Sequence, residues 1–303
     1  MSTLSHRLFA VQVRARIALT PSLLRIVFCG PALSQLRSFG PDQRIKLFFP
    51  AADGQTPALR DGPDWYAHYR AIPVPLRPPM RTYTIRALRT EQAEVDVDFV
   101  LHGDTGPASQ WASRACVGDA LQLWGPCEGC DADSAGFEWR PPARARHLLI
   151  VADETALPAA ACILEQLDAQ AHPARVDALI ELPHASDAGY PALRSGAFRQ
   201  VQWLPRDRAA QCGHGEQLLR AVHATAFGAG LAQASARQAQ APVDVDREIL
   251  WEQASDADAG SYAWIAGEAA AVLKIRRYLL SERGLDKRAL TFMGYWRQGR
   301  ALD

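Results

Sequence analysis

The chain of 303 residues has no run of about 18 or more uninterrupted apolar residues, which argues against a membrane-spanning helix. Its first fourteen residues alternate apolar and polar positions and lack the apolar core of a secretory leader, so a cytoplasmic location is expected. Cysteine is sparse. Six residues, at positions 29, 116, 127, 130, 162 and 212, are too few and too scattered for a disulfide framework in a chain this long. Cys127 and Cys130 form a lone CxxC without a second pair; it suits a redox dithiol or half a metal site, but ordinary reduced thiols and no bound metal are expected. Also missing is a GxGxxG after a strand pattern: Gly228-Ala229-Gly230 lacks the third glycine and follows a helical stretch, so the Rossmann dinucleotide fingerprint is absent. There is no internal repeat.

Net charge is zero, from 33 basic and 33 acidic residues, and this disfavours a nucleic-acid partner, which usually meets a net basic surface. The distribution is uneven. Residues 1–90 hold 13 basic against 4 acidic residues and residues 91–143 hold 2 against 10, a pattern suited to small anionic ligands unless the blocks mix and cancel in space. Only three of the basic residues are lysines.

What is present divides into two patterns. Alternating apolar residues from Leu8 to Ile17, then short candidates at Leu23 to Phe28, Arg44 to Phe49, Thr82 to Leu88, Val95 to Leu101 and Ala120 to Gly125, predict six strands. One short helix, from Pro107 to Ala115, separates the fifth from the sixth. A six-stranded antiparallel β barrel over residues 1–143 closes the edges of such a set. Residues 125–146 mix turn residues, prolines and charges and read as the link between domains. Over residues 144–303, strands at 147–152, 175–182, 198–204, 262–267 and 289–294 alternate with helices at 157–170, 216–227 and 269–283. That predicts a mostly parallel α/β sheet covered on both faces. Residues 228–241 read as a flexible loop or weak helix.

Two segments of the first domain carry chemistry. Arg81-Thr82-Tyr83-Thr84-Ile85-Arg86 offers a cation, an aromatic ring and hydroxyls on an extended backbone, with Arg81 and Tyr83 on one face and Thr82 and Thr84 on the other. His102-Gly103-Asp104-Thr105-Gly106-Pro107-Ala108-Ser109-Gln110-Trp111 is a turn that opens a helix, whose free amides suit a pyrophosphate. Taken singly, the hexapeptide also suits an ordinary barrel strand, His102 a structural histidine and Trp111 the core. Together they describe a pocket for a planar ring on a pyrophosphate, and a flavin nucleotide is the expected occupant. In the second domain the strand ends at Asp153-Glu154-Thr155 and at Gly267-Glu268 stand where open α/β sheets bind ligands.

The blocks RTYTIR at 81–86, VDFVLHGDTGPASQWA at 97–112, GDALQLWGP at 118–126, ADETALPAAACILEQL at 152–167, YAWIAGEAAAVLKIRRYL at 262–279 and GYWRQG at 294–299 together resemble the siderophore-interacting proteins, flavin-dependent reductases of ferric siderophores. The resemblance spans nearly the whole chain. It implies an FAD-binding barrel followed by an NAD(P)H-binding domain of the ferredoxin-reductase type. It also implies that Arg81, Thr82, Tyr83 and Thr84 hold the flavin, with Tyr83 and Thr84 at its edge. His102, Gly106, Pro107, Ala108, Ser109 and Trp111 would serve the phosphates and their turn, and Asp153, Thr155, Gly267 and Glu268 the pyridine nucleotide.

The chemistry then needs no catalytic acid, base or nucleophile, because the flavin adapts a two-electron donor to a one-electron metal. An anionic ferric siderophore would dock on Lys46 first, with Arg44, Arg140 and Arg297 as further candidates; each also suits a solvated charge. NADPH and NADH remain open, with Arg175, Arg206 and Arg208 as candidates for a ribose 2′-phosphate. A monomer with no nucleic-acid or membrane partner is expected. Alternatives are a general NAD(P)H:flavin or ferredoxin-type reductase and a non-catalytic siderophore carrier. One departure from the family pattern is Ala152, where glycine is usual before Asp-Glu-Thr.

Overall fold

A computed structural model describes residues 5–51, 54, 59–102, 106–190, 199–209, 212–228, 244–245, 248–255 and 258–299. Gly103 to Thr105, Phe198 and most of the 228–241 stretch lie outside them. The chain divides into two compact units, Met1–Phe137 and Glu138–Asp303. That division falls six residues before the expected one. The cause is local: the buried Glu138 carboxylate accepts from Trp251 Nε1 at 3.0 Å and from Gln253 Nε2, and Trp139 packs edge-on against Tyr262. On the other side, Gln43 Nε2 donates to Ala135 O at 2.5 Å and keeps that residue in the first unit.

The first unit is a seven-stranded antiparallel sheet curled as a half-barrel. Its strands are β1 (His6–Thr20), β2 (Leu23–Cys29), β3 (Arg44–Phe48), β4 (Met80–Thr84), β5 (Ala87–Arg89), β6 (Glu94–Val100) and β7 (Ala120–Pro126), in the order β4-β3-β7-β1-β2-β6-β5. Phe9, Val11 and Val13 of β1 are buried while Ala10 and Gln12 between them and Arg14 after them are exposed, the alternation of a sheet with one dry face. Two sequence expectations are corrected. There are seven strands because the single candidate from Thr82 to Leu88 breaks at a corner: β4 pairs with β3, then Ile85 N donates to Gln43 O and Arg86 N to Asp96 O, and β5 pairs with β6. And the barrel is not closed, since β4 and β5 remain the edges of the sheet among the described residues.

Helix α1 (Trp65–Ala71), which the sequence reading missed, lies between β3 and β4. Trp65 and Tyr69, four residues apart and so on one helical face, pack on Phe48. Helix α2 (Pro107–Arg114) follows β6 and buries Ala108, Ser109 and Ala112.

The second unit is a mixed six-stranded sheet with helices. β8 (His147–Ala152), β9 (Arg175–Leu182), β10 (Arg199–Pro205), β12 (Ser261–Glu268) and β13 (Leu290–Trp296) are parallel, and the unforeseen edge strand β11 (Trp251–Glu252) is antiparallel to β13. Strand order is β10-β9-β8-β12-β13-β11, so the chain winds outward from β8 in one direction and returns to its other side with β12. The switch point lies between β8 and β12. Every residue of β12 is buried, as a strand covered on both faces requires. Helices α3 (Leu157–Ala169), α4 (Glu216–Ala224) and α5 (Ala269–Arg277) accompany it, with Val222, Val272 and Ile275 in one apolar core beneath the sheet. Ala152, the departure from the family pattern, is fully buried between Ile180 and Ala266. No helix of the described residues is long and apolar enough to cross a membrane.

Candidate functional site

In the first unit two aromatic residues of the core join the segments that sequence reasoning singled out. The Tyr83 ring lies 4.5 Å from Phe99 and 6.3 Å from Phe49, and the Trp111 ring lies 5.5 Å from Phe49 and 6.2 Å from Phe99. Phe49 and Phe99 therefore connect the end of β4 to α2; sequence reasoning had treated them only as strand residues. Burial pushes the Tyr83 phenol well above its usual range, against a smaller opposite pull from Arg81, so its O–H is kept at neutral pH.

Register sorts the polar residues between faces. Arg81 and Tyr83 pair with Leu47 and Ile45, two core residues, whereas Thr82 pairs with Lys46, which in turn pairs with Trp124. Lys46 thus shares a face with Thr82 and not with Arg81. Half-buried and without a carboxylate partner among the described residues, its ammonium is lowered by desolvation and by the charge of Arg44. Arg44 pairs with Thr84 in the same ladder, and Thr84 is buried.

The Arg81 guanidinium spends one N–H on Met80 O at 2.8 Å. At α2 the cap residue Gly106 is extended, no side chain caps the helix, and Pro107 fills the first position. Backbone amides of Ala108 and Ser109 in the first turn have no helical acceptor. Ser109 Oγ accepts from His102 N at 3.2 Å and so fixes the strand end to the helix start. A cation with N–H groups to spare, an uncapped helix start and an aromatic group fit a ring system carrying a pyrophosphate.

In the second unit the carboxyl ends of β8, β12 and β13 converge on Asp153. Its Oδ1 accepts from Thr155 N at 2.9 Å, Thr155 Oγ1 at 2.6 Å and Ala156 N at 3.3 Å. Its Oδ2 accepts from Glu268 N at 2.8 Å and Trp296 Nε1 at 2.7 Å. These five donors, none of them a cation, hold a carboxylate that is 2% exposed. Burial, with the neighbouring Glu154 charge adding to it, raises Asp153 to about 6. Gly267 takes φ +152°, a value side chains rarely adopt. Glu268 caps α5 through Ala271 N at 2.9 Å and accepts from Arg297 Nη1 at 2.9 Å and Gln298 N at 3.2 Å; these hydrogen bonds outweigh its burial and keep it below its usual value. A small cavity lined by Asp153, Gly215, Gly267 and Glu268 and by the apolar Leu218, Val272 and Ile275 lies here.

Beside it, Arg206 grips Glu154 with both terminal nitrogens, at 2.8 and 2.6 Å, and reaches Glu181 at 3.0 Å. Glu181 accepts from Gly215 N at 2.8 Å at the start of α4. Of the three arginines considered for a ribose phosphate, Arg206 is therefore committed to an internal clamp, and Arg175 lies at the amino end of β9 against Asp177. Arg208, in the same turn after β10 as Arg206, is exposed at the carboxyl end of that strand. Arg297 is engaged by Glu268, and Arg140 is exposed with its N–H directed at Tyr262 Oη at 3.5 Å. Sequence reasoning missed Trp296, which lies within the quoted block GYWRQG, and His214, whose ring stands edge-on to Trp296 at 5.1 Å; it named Glu154 and Arg206 but not their pairing with each other and with Glu181. No group of three or more His, Cys, Asp or Glu residues suited to a metal ion occurs among the described residues.

An aromatic and phosphate-ready half-barrel joined to an α/β unit defines a flavin-binding class, and comparison with known proteins gives the same class. The profile described as the siderophore-interacting FAD-binding domain matches residues 12–130, and that described as siderophore-interacting protein matches residues 145–299. The chain belongs to the siderophore-interacting protein family.

Among its relatives, the ferric vibriobactin reductase ViuB of Vibrio cholerae is 29% identical, over 92% of this chain and 85% of the relative. The NADPH-dependent ferric-chelate reductase of Escherichia coli is 34% identical, over 61% of this chain and 66% of the relative. The crystal structure of a siderophore utilization protein from T. fusca superposes with TM-score 0.70 at 28% identity, covering 99% of this chain and 97% of the other. The ferredoxin reductase in carbazole 1,9a-dioxygenase, at TM-score 0.59 and 17% identity over 97% of this chain and 71% of its own, shares the fold alone.

Proposed function

We propose that this chain is an FAD-dependent reductase that passes electrons from NADPH or NADH to Fe(III) in a siderophore and so releases Fe(II). The observation that carries the proposal is the grouping of Tyr83 and Trp111 on Phe49 and Phe99, in a stretch that matches the siderophore-interacting FAD-binding domain. The named activities of the Vibrio and Escherichia relatives support the same reading.

Bound FAD supplies the conversion of a hydride's electron pair into single electrons for the metal. Arg81 and the free first-turn amides of α2, those of Ala108 and Ser109, would bind the phosphates, with Gly106 and Pro107 forming the turn that presents them. Tyr83 and Thr84 would stand at the edge of the ring, with Thr82 preceding them in β4, and His102 and Trp111 would serve the phosphate turn. Asp153, Thr155, Gly267 and Glu268 form the floor for the nicotinamide side, and Arg208 stands ready for a 2′-phosphate. Lys46 would attract an anionic ferric complex, and Arg44, Arg140 and Arg297 are separate further candidates. The proposal assigns no side chain a proton-transfer role, because electron transfer to iron requires none. It places the reaction in the cytoplasm, with the chain as a monomer and without nucleic-acid or membrane partners.

Anaerobic titration tests it. The flavin bands should bleach with NADPH or NADH and return on adding a ferric siderophore. Return only with free flavin or ferredoxin would mean a general reductase, and a protein that stays colourless after reconstitution would mean a carrier.

A further inference from the structure

Cys127 and Cys130 take part in neither site. Cys127 follows β7 directly; its N–H donates to Ser5 O at 3.0 Å and it forms an antiparallel bridge with Leu36. Cys130 N–H turns back to Cys127 O at 3.0 Å, and Gly129 between them has φ +95°. That is the left-handed value the third residue of a type II turn requires. Such a turn holds its first and fourth Cα atoms within about 7 Å of each other, and a disulfide spans about 4.4–6.8 Å. Neither is in a disulfide, and both are buried, at 6% and 9% exposure. Cys130 Sγ lies 3.6 Å from Ser134 Oγ and 3.9 Å from His6 Nδ1, and the His6 ring stacks on Trp124 at 4.4 Å.

We propose that Cys127 and Cys130 are a redox modification site, a dithiol that a low-molecular-mass disulfide converts to an intramolecular bridge. One thiolate attacks the incoming disulfide, forms a mixed disulfide and releases one thiol. The second thiolate then attacks the protein sulfur of that mixed disulfide and releases the other thiol. Two electrons and two protons leave the cysteine pair, and the small disulfide departs as two thiols. Burial raises both protein thiols above their ordinary values, so little thiolate is present at neutral pH and the exchange is slow. The pair is therefore a slowly set modification, shielded once formed, rather than a catalytic oxidoreductase centre. Cys130 stands beside His6, whose ring stacks on Trp124, the residue that pairs with Lys46.

The test uses the whole chain, equilibrated anaerobically at graded ratios of glutathione disulfide to glutathione and then denatured in excess N-ethylmaleimide, so that buried free thiols are labelled. The expected result is joint loss of labelling at Cys127 and Cys130, located by peptide fragmentation, with the intact mass reduced by two hydrogens. Cys127→Ser and Cys130→Ser should each lose that mass change and retain a single thiol or glutathione adduct at the remaining position. Full labelling of both cysteines at every ratio, or a bridge from either to Cys116, overturns the proposal.

Discussion

A β-carbon built on Gly267 would lie 2.7 Å from Asp153 Oδ2, so a carboxylate at one position requires glycine at the other. The constraint works through the backbone. With no side chain at 267, β12 comes close enough for Glu268 N to donate to the same oxygen, and the two strand ends become one surface.

Gly267→Ala is expected to destabilise the protein by about 1–3 kcal/mol, through the clash and the unfavourable φ together. Part of that loss should vanish in an Asp153→Ala background, because the clash partner is gone. Denaturant unfolding of the four species of this double-mutant cycle measures the coupling. Strict additivity would show that the contact is unimportant.

Asp153 gives a pH dependence of definite sign. Its folded value, about 6, is raised above the ordinary 3.8, so its contribution to stability is fully present below the unfolded value and is lost as pH rises through about 6. The loss is on the order of 3 kcal/mol. Glu268, held below its ordinary value, acts in the opposite direction and loses stability as pH falls through its own folded value. Asp153→Asn should be less stable at every pH, because an amide cannot accept all five hydrogen bonds, and should lose the component that declines between about pH 4 and pH 7. Unfolding curves across that range for both proteins provide the check, and parallel pH profiles would remove Asp153 as the titrating group.

Arg81→Ala should weaken FAD binding about ten- to hundredfold, the loss expected for a charge-assisted hydrogen bond to phosphate. The measurement is the ratio of flavin to protein absorbance after purification. A variant that emerges fully yellow would exclude Arg81 from the phosphate site.

Lys46→Ala is expected to raise KM for an anionic ferric siderophore about two- to fivefold and to leave flavin content unchanged, as for loss of one partly screened charge. The effect should shrink as salt is added. Kinetics identical to the unaltered protein at low salt would take Lys46 out of the docking surface.

Arg206 and Arg208, two residues apart, should behave oppositely. Arg206→Ala leaves Glu154 and Glu181 buried without their cation and should cost about 3–5 kcal/mol of stability. Arg208→Ala should barely change stability, yet raise KM for NADPH more than for NADH. Equal effects on the two nucleotides would show that Arg208 does not meet the 2′-phosphate.

Sequence periodicity located most strands and helices because each element writes its own burial into its own residues, as Phe9, Val11 and Val13 do in β1. It failed where a strand changed partners. The corner at Ile85 and Arg86 leaves no gap in the apolar pattern, so β4 and β5 read as one strand. Helix α1 was missed because its apolar face rests on only two large residues within seven. The site residues were legible as chemistry, an arginine beside a tyrosine or an acid after a strand, but their partners were not. Arg206 looked like a phosphate ligand until Glu154 and Glu181 were seen around it.

By themselves the residues determined two successive patterns, a set of short alternating strands and then strands alternating with helices, together with the motifs that point to a flavin. These depend on neighbours a few positions away along the chain. Tertiary structure alone decided that Asp153 and Glu268, 115 residues apart, share one hydrogen bond. It did so because β12 pairs with β8 after the chain has travelled outward through β9 and β10, and the order of strands in a sheet depends on which buried faces fit together rather than on any local spacing.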